Sequence, residues 1–372
     1  MLSDWTEADI LRIAIFTREL NNVLGGMEKQ LLQLATKLTD AGHTVTVFSL
    51  DLKNTAPFYS YDYSSINFWN IAGADPKSHA NLKSKITRQI ATFKAVRDFK
   101  PDIAITFMFG AFLYSRIPTF LNRVPLIISE RNSPTIYKVT RVSKFKHLIF
   151  LSMLFSKKIT VQFERFESFY PFYLRRKIVT IPNFLAEIKS REMVRNQEFT
   201  FLFAGRFSFQ KQVSQLLQAY LEFAEKYPDT KFRIIGKGED SEKLKEMVLN
   251  HKNGYKVQIL EPMYEVSEIL NGIDVLCITS IWEGFPNILA EALVFGIPAI
   301  GFSNCDGVAD LIEDGYNGWL EKDDGQQSTY IRLLERGYLA SENLDKFSIN
   351  ARRSMEVYDN ELSIAKWLEI IN

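Results

Sequence analysis

The sequence predicts an α/β protein with two doubly wound domains facing a central cleft. Three observations carry this expectation. The chain has 372 residues, more than a single hydrophobic core usually organises. Short apolar runs alternate with amphipathic stretches, the pattern of parallel strands joined by crossover helices. A polar segment at 187–198 interrupts the alternation, which then restarts. Two such sheets joined by a linker place their strand C-termini around one crevice. The expected boundaries are 1–186 for the first domain, 187–357 for the second, and 358–372 for a closing helix that returns to the first.

The elements follow in order. Residues 11–17 read as the first strand and 21–26 as a glycine-bearing loop. Residues 27–40 read as a helix with its apolar stripe at Leu31, Leu32, Leu34, Ala35 and Leu38. Gly42 ends that helix, and 44–49 is the next strand. Residues 81–99 form a basic amphipathic helix, and Pro101 precedes a strand at 102–106. Strands at 125–129, 158–162 and 177–183 complete the first half. After the linker come a strand at 199–204, a helix at 213–227, and strands at 232–235, 256–260, 274–278 and 299–300. Residues 287–295 read as a short helix. Pro286 suits its first turn, where a missing N–H costs nothing, and Gly296 and Pro298 stop it.

Composition narrows the class. Cys277 and Cys305 are the only cysteines, too few for a disulfide framework or a zinc site. Cys277 lies in an apolar run and reads as a core residue. The four histidines, His43, His79, His147 and His251, form no sequence cluster. The first nine residues are acidic, unlike a secretory leader, and the uninterrupted apolar runs are too short to span a bilayer. The expected location is the cytoplasm, peripheral on the inner face of the cell membrane. The net charge of +1 hides an asymmetry: residues 1–190 hold 26 basic and 15 acidic side chains, or +11, and residues 191–372 hold 19 and 29, or −10.

Chemistry-bearing residues cluster at strand ends. Glu283 and Glu291 stand eight positions apart with Gly284, Phe285, Pro286 and Asn287 between them. Glu283 falls in the loop ahead of the short helix, where its carboxylate is not needed for packing, and Glu291 about one turn inside. The amides of a helix N-terminus favour an anion, and carboxylates accept hydrogen bonds from sugar hydroxyls. Phosphate and sugar together suggest a nucleotide sugar. Gly205, Arg206 and Lys211 follow a strand and lead into a helix, so both cations can reach one anion.

The stretch from Glu283 to Pro298 resembles the E-x7-E motif of the retaining glycosyltransferases of family 4, which have the GT-B fold. The segment from Gly205 to Lys211 is similar to that family's G-R-x4-K segment, which holds the donor diphosphate; Gln212 stands where relatives commonly have glycine. The resemblance covers nearly the whole chain, most strongly over 199–320. It implies that Gly25 and Gly26 face the diphosphate and acceptor, that Gly236 and Gly238 lie near the nucleotide, and that the turn at Pro182 and Asn183 precedes the linker. Arg206, Lys211 and Glu283 are the implied catalytic residues, with Glu291 on the ribose. Many relatives place a histidine near Arg131; here Glu130, Arg131 and Asn132 are read as acceptor or sugar contacts, with a structural loop as the alternative.

The implied reaction moves a hexose or N-acetylhexosamine from a UDP-sugar to a hydroxyl of a lipid-linked or polysaccharide acceptor, with no metal and no resident cofactor. The rival readings are a nucleotide-sugar epimerase of the same fold and a catalytically silent scaffold. Basic and apolar residues mix at 82–97 and 140–158, as in helices that lie on anionic membranes; a core-packed stripe with a solvated basic face is the other reading. No motif supports a nucleic-acid partner.

Overall fold

The computed structural model describes residues 10–20, 25–51, 64–71, 81–185 and 198–372. The acidic start of the chain, the 21–24 part of the glycine loop and nearly all of the polar linker lie outside the described residues. The chain divides into two compact units, one comprising 1–184 with 360–372 and the other 185–359.

The first unit is a seven-stranded sheet with strand order β3-β2-β1-β4-β5-β6-β7. Its strands are β1 (Arg12–Phe16), β2 (Thr44–Ser49), β3 (Asn67–Asn70), β4 (Ile103–Phe107), β5 (Leu126–Ser129), β6 (Lys158–Val161) and β7 (Ile178–Thr180). Every neighbouring pair is parallel. The helices are α1 (Gly26–Asp40), α2 (Leu82–Phe99), α3 (Met108–Leu121), α4 (Ile136–Val139), α5 (Lys146–Met153) and α6 (Phe172–Arg175). Strand β4 is fully buried and β1 is buried from Ile13 on, and both read as apolar runs because parallel sheets are covered on both faces.

Helix α3 and strand β3 are among the elements that escape the sequence pattern. Helix α3 is apolar around most of its circumference and carries Pro118 inside its C-terminal half, so no 3.6-residue period stands out. Strand β3 is a short, largely exposed edge. The 140–158 stretch is also not one amphipathic helix. It breaks into a 3-10 turn at Arg141–Phe145, helix α5, and the approach to β6.

The second unit is a six-stranded parallel sheet of order β10-β9-β8-β11-β12-β13. Its strands are β8 (Phe199–Ala204), β9 (Thr230–Ile235), β10 (Val257–Leu260), β11 (Val275–Ile278), β12 (Ala299–Phe302) and β13 (Gly318–Glu321). Its helices are α7 (Val213–Lys226), α8 (Ser241–Leu249), α9 (Val266–Leu270), α10 (Asn287–Phe295), α11 (Asp306–Leu311), α12 (Gln327–Leu339) and α13 (Leu344–Met355). The winding direction reverses between β8 and β11. In open α/β sheets the crevice at the carboxyl ends of two such strands is where ligands bind.

The chain then returns to the first unit as α14 (Asn360–Ile371). Trp367, Ile370 and Ile371 join the core built by Ile13, Ile15, Leu31 and Val45, so the first unit's core includes residues from both ends of the described chain. Lys157 donates from Nζ to the carbonyl of Ile371 at 2.9 Å, a basic cap at the last turn of α14.

Candidate active site

In the second unit, two loops leave adjacent strands at the reversal point and are stitched together. One follows β8 and ends in a 3-10 turn at Phe209–Lys211; the other runs from Thr279 after β11 to α10. The backbone N–H of Ile281 donates to the carbonyl of Gln210 at 2.9 Å. The Gln210 amide donates to the carbonyl of Trp282 at 2.7 Å, and the Thr279 hydroxyl to the carbonyl of Lys211 at 3.1 Å. These bonds fix the register of the two loops.

On this scaffold Lys211 and Glu283 meet. The Lys211 ammonium pairs with Glu283 Oε1, and the Ser280 hydroxyl donates to the same oxygen at 2.6 Å. Glu283 is only 8 % exposed. The expectation that its carboxylate is free of the packing is therefore corrected: it lies in a loop, but the loop is buried and its charge is already partnered. Arg206, by contrast, is exposed.

Helix α10 starts at Asn287 and ends at Gly296, whose φ of 91° favours a residue without a side chain. Pro286 sits at the N-cap, and the positive end of the helix dipole lies beside Gly284, Phe285 and Pro286. Glu291 is buried within the helix. Phe285 is buried edge-on to Tyr358, with ring centroids 5.7 Å apart, so its side chain packs inside the protein.

Several residues that build this site carry no signal in the sequence pattern. Gly307 donates its N–H to the carbonyl of Glu283 at 3.3 Å, and a Cβ there would overlap the carbonyl of Gly284. Burial, with the Glu283 charge adding to it, pushes the Cys305 thiol up, so this cysteine is an inert neighbour of the site. Gln212 adopts φ 52° and ψ 31°, the left-handed region that glycine occupies most easily. Its side chain accepts a hydrogen bond from the Tyr330 hydroxyl. The turn geometry thus gives a physical reason why glycine would suit position 212.

Gly236 and Gly238, in the loop after β9, have an internal reason. A Cβ on Gly236 would overlap the carbonyl of Gly205, and one on Gly238 the carbonyl of Phe207. Phe207 and Gly238 form a β-bridge, so these glycines let the two loops pack backbone to backbone. In the first unit, Gly25 is the N-cap of α1 and Gly26 its first residue. A side chain on Gly25 would displace the buried carboxylate of Glu28 in the first helical turn.

Glu130 and Arg131 also find internal partners. Glu130 is 3 % exposed and accepts a hydrogen bond from Tyr137 at 3.0 Å. Burial raises its carboxyl to about 7 against the opposing effect of that bond. Arg131 donates to Ser129 Oγ at 2.7 Å and to Asn183 Oδ1 at 2.8 Å, and lies over the rings of Phe107 and Trp367. Burial lowers its guanidinium to about 9. It thus ties the turn at Asn183 and the C-terminal helix to the sheet, the structural-loop alternative. Asn132 is half-buried in the same loop. Among the described residues, no group of three His, Cys, Asp or Glu side chains is placed to hold a metal ion.

Comparisons with known proteins address the family. The model described as "Glycosyl transferases group 1" matches residues 186–354, and that described as "Glycosyltransferase Family 4" matches residues 24–160. A Campylobacter jejuni protein is 27 % identical over 97 % of this chain and 98 % of its own; it is named GalNAc-alpha-(1->4)-GalNAc-alpha-(1->3)-diNAcBac-PP-undecaprenol alpha-1,4-N-acetyl-D-galactosaminyltransferase. An uncharacterized glycosyltransferase of Haemophilus influenzae is 24 % identical over 97 % of this chain and 99 % of its own. The solved structure of Anabaena Alr3699/HepE in complex with UDP and glucose superposes with a TM-score of 0.78, at 14 % identity, covering 96 % of this chain and 98 % of that one. With family models matching both halves and two parallel-sheet units of the expected kind, the chain belongs to the family 4-like glycosyltransferases of the GT-B fold.

Proposed function

We propose that this glycosyltransferase moves a hexosyl or N-acetylhexosaminyl group from a UDP-sugar to a hydroxyl of a lipid-linked or polysaccharide acceptor, with retention at the anomeric carbon. The observation that carries the reading is the meeting of Lys211 and Glu283 at the reversal point of the second sheet. A cation for phosphate and a carboxylate for sugar hydroxyls stand side by side, with the start of α10 close in sequence. The UDP and glucose held by the Anabaena enzyme support the donor. The undecaprenol-linked saccharide in the Campylobacter enzyme's name supports the acceptor.

The chemistry follows from where charge develops. The bond between the anomeric carbon and the β-phosphate oxygen breaks, and a bond to the acceptor oxygen forms on the same face. The acceptor proton passes to the departing phosphate, and UDP leaves. Arg206, Lys211 and the α10 dipole stabilise the charge growing on the diphosphate. Glu283 orients the sugar and Glu291 the ribose. No resident cofactor enters this scheme. A silent scaffold gains nothing from keeping all four of these charged groups.

We place the reaction at an anionic membrane surface on the cytoplasmic side. In support, the first unit exposes Phe120 and Phe155, 5.7 Å apart and 63 % and 73 % exposed, with Leu148 and Leu151 of α5 also exposed and Arg123 and Lys144 in the same region of the chain. No helix among the described residues is long and apolar enough to cross a membrane.

The test is transfer itself. The purified protein is incubated with a panel of UDP-sugars and an undecaprenyl-diphosphate-linked saccharide, and products are read by mass spectrometry and anomeric coupling. Arg206→Ala should lower turnover by roughly 100- to 1000-fold, as for loss of one preorganised charge donor. Wild-type turnover by that variant with a confirmed donor removes the assignment, and an inverted product removes the stereochemical part.

A further inference from the structure

We propose that Ser280 is a positioning residue for glycosyl transfer, holding the Glu283 carboxylate when the donor diphosphate draws Lys211 away. The inference rests on the donor reading above and assigns a role to a residue outside the charged motif.

Glu283 Oε1 accepts two hydrogen bonds, one from the Lys211 ammonium and one from the Ser280 hydroxyl. Oε2 makes none among the described residues and is the oxygen left for a sugar hydroxyl. The two donors differ in what a diphosphate does to them. An ammonium carries three donors on a flexible stem and turns toward new negative charge. A serine hydroxyl carries one donor on a single-carbon arm. Ser280 is 2 % exposed, so its hydroxyl is shielded from a ligand arriving from solvent.

The arm is also rigid. On one side of Ser280, the Thr279 hydroxyl is bonded to the carbonyl of Lys211; on the other, the N–H of Ile281 is bonded to the carbonyl of Gln210. The serine backbone is thus pinned at both neighbours to the turn that bears the catalytic lysine. Its hydroxyl keeps one place while the ammonium moves. A carboxylate held by Lys211 alone would lose its anchor at the moment the donor binds. Held by Ser280, it keeps Oε1 in place and presents Oε2 in one direction through the reaction.

The experiment is a double-mutant cycle on the full chain, with kcat and the UDP dissociation constant measured for wild type, Ser280→Ala, Glu283→Gln and the pair. Loss of a hydrogen bond to a charged group should lower kcat for Ser280→Ala by about tenfold or more, with UDP affinity within about twofold, because the serine acts through Glu283 and not on the nucleotide. In the Glu283→Gln background the same change should cost under about twofold, since groups that act as a unit are not additive. Ser280→Thr, which keeps the hydroxyl, should recover part of the loss. Wild-type kcat in Ser280→Ala overturns the proposal, and so does a loss that multiplies with that of Glu283→Gln. If Ser280→Ala does not fold, Ser280→Cys, nearly isosteric and a weak donor, carries the same comparison. Failure of wild type to transfer from any UDP-sugar is the distinct outcome that removes the donor reading and this proposal together.

Discussion

Replacing Glu130 by glutamine should stabilise the protein at alkaline pH and leave it nearly unchanged at acid pH. Glu130 follows β5, is buried, and accepts one hydrogen bond from Tyr137. It forms no ion pair among the described residues, and its charge also raises the hydroxyl of the buried Tyr170. Burial therefore dominates and raises the carboxyl from 4.5 to about 7. A group whose folded value is raised holds its proton longer folded than unfolded. Its contribution to stability is fully present below 4.5 and is lost as pH rises toward 7, where the folded state must bury a charge. Taking 1.36 kcal/mol per pH unit over this interval, the loss by pH 8 is about 3 kcal/mol. Glutamine keeps an oxygen for Tyr137 and never ionises. The assay is urea unfolding of both proteins at pH 5 and pH 8, followed by tryptophan fluorescence, since Trp367 is buried in the same unit. The unfolding free energy of Glu130→Gln should exceed that of wild type by about 3 kcal/mol at pH 8 and by no more than about 1 kcal/mol at pH 5. A difference that does not change with pH refutes the reasoning and reassigns the carboxylate to a solvated or paired site.

Two further outcomes can be checked with the same materials. Gln212→Gly relieves a left-handed residue worth about 1 kcal/mol but leaves the buried Tyr330 hydroxyl without its acceptor, at a cost of ~1–3 kcal/mol. Adding Tyr330→Phe to Gln212→Gly should therefore raise the urea midpoint, and a further fall would show that Tyr330 matters for another reason. Wild type should co-sediment with anionic vesicles at low salt and less at high salt, because exposed charges are screened within ~8–10 Å. Neutralising Arg123, Lys144 and Lys146 together should release it, at about 1 kcal/mol per charge, while UDP affinity is kept. Lys157 is left out of that set because its ammonium caps α14. Absence of wild-type sedimentation at low salt points to an acceptor free in solution.

Local chemistry by itself determined much of this protein. Strands β2 and β8 and helix α10 fall where the pattern places them, because their residues follow short-range rules: β-branched and aromatic residues dominate both strands, and a proline–glycine frame bounds the helix. Arg206, Lys211, Glu283 and Glu291 were visible as charged residues near predicted strand ends and a helix start, and the structure places all four in the second unit. Helix α3 was not legible, because Leu113, Ile117, Phe120 and Leu121 make its exposed face apolar as well and erase the period that marks a surface helix. Only the tertiary structure decided what each polar group does. It joins Lys211 to Glu283 across 72 positions, adds Ser280 and Gly307 to the site, and turns Glu130 and Arg131 inward. A hydrogen bond between distant residues depends on how two loops are held at neighbouring strand ends. That register is set by the packing of the whole sheet, which no local pattern encodes.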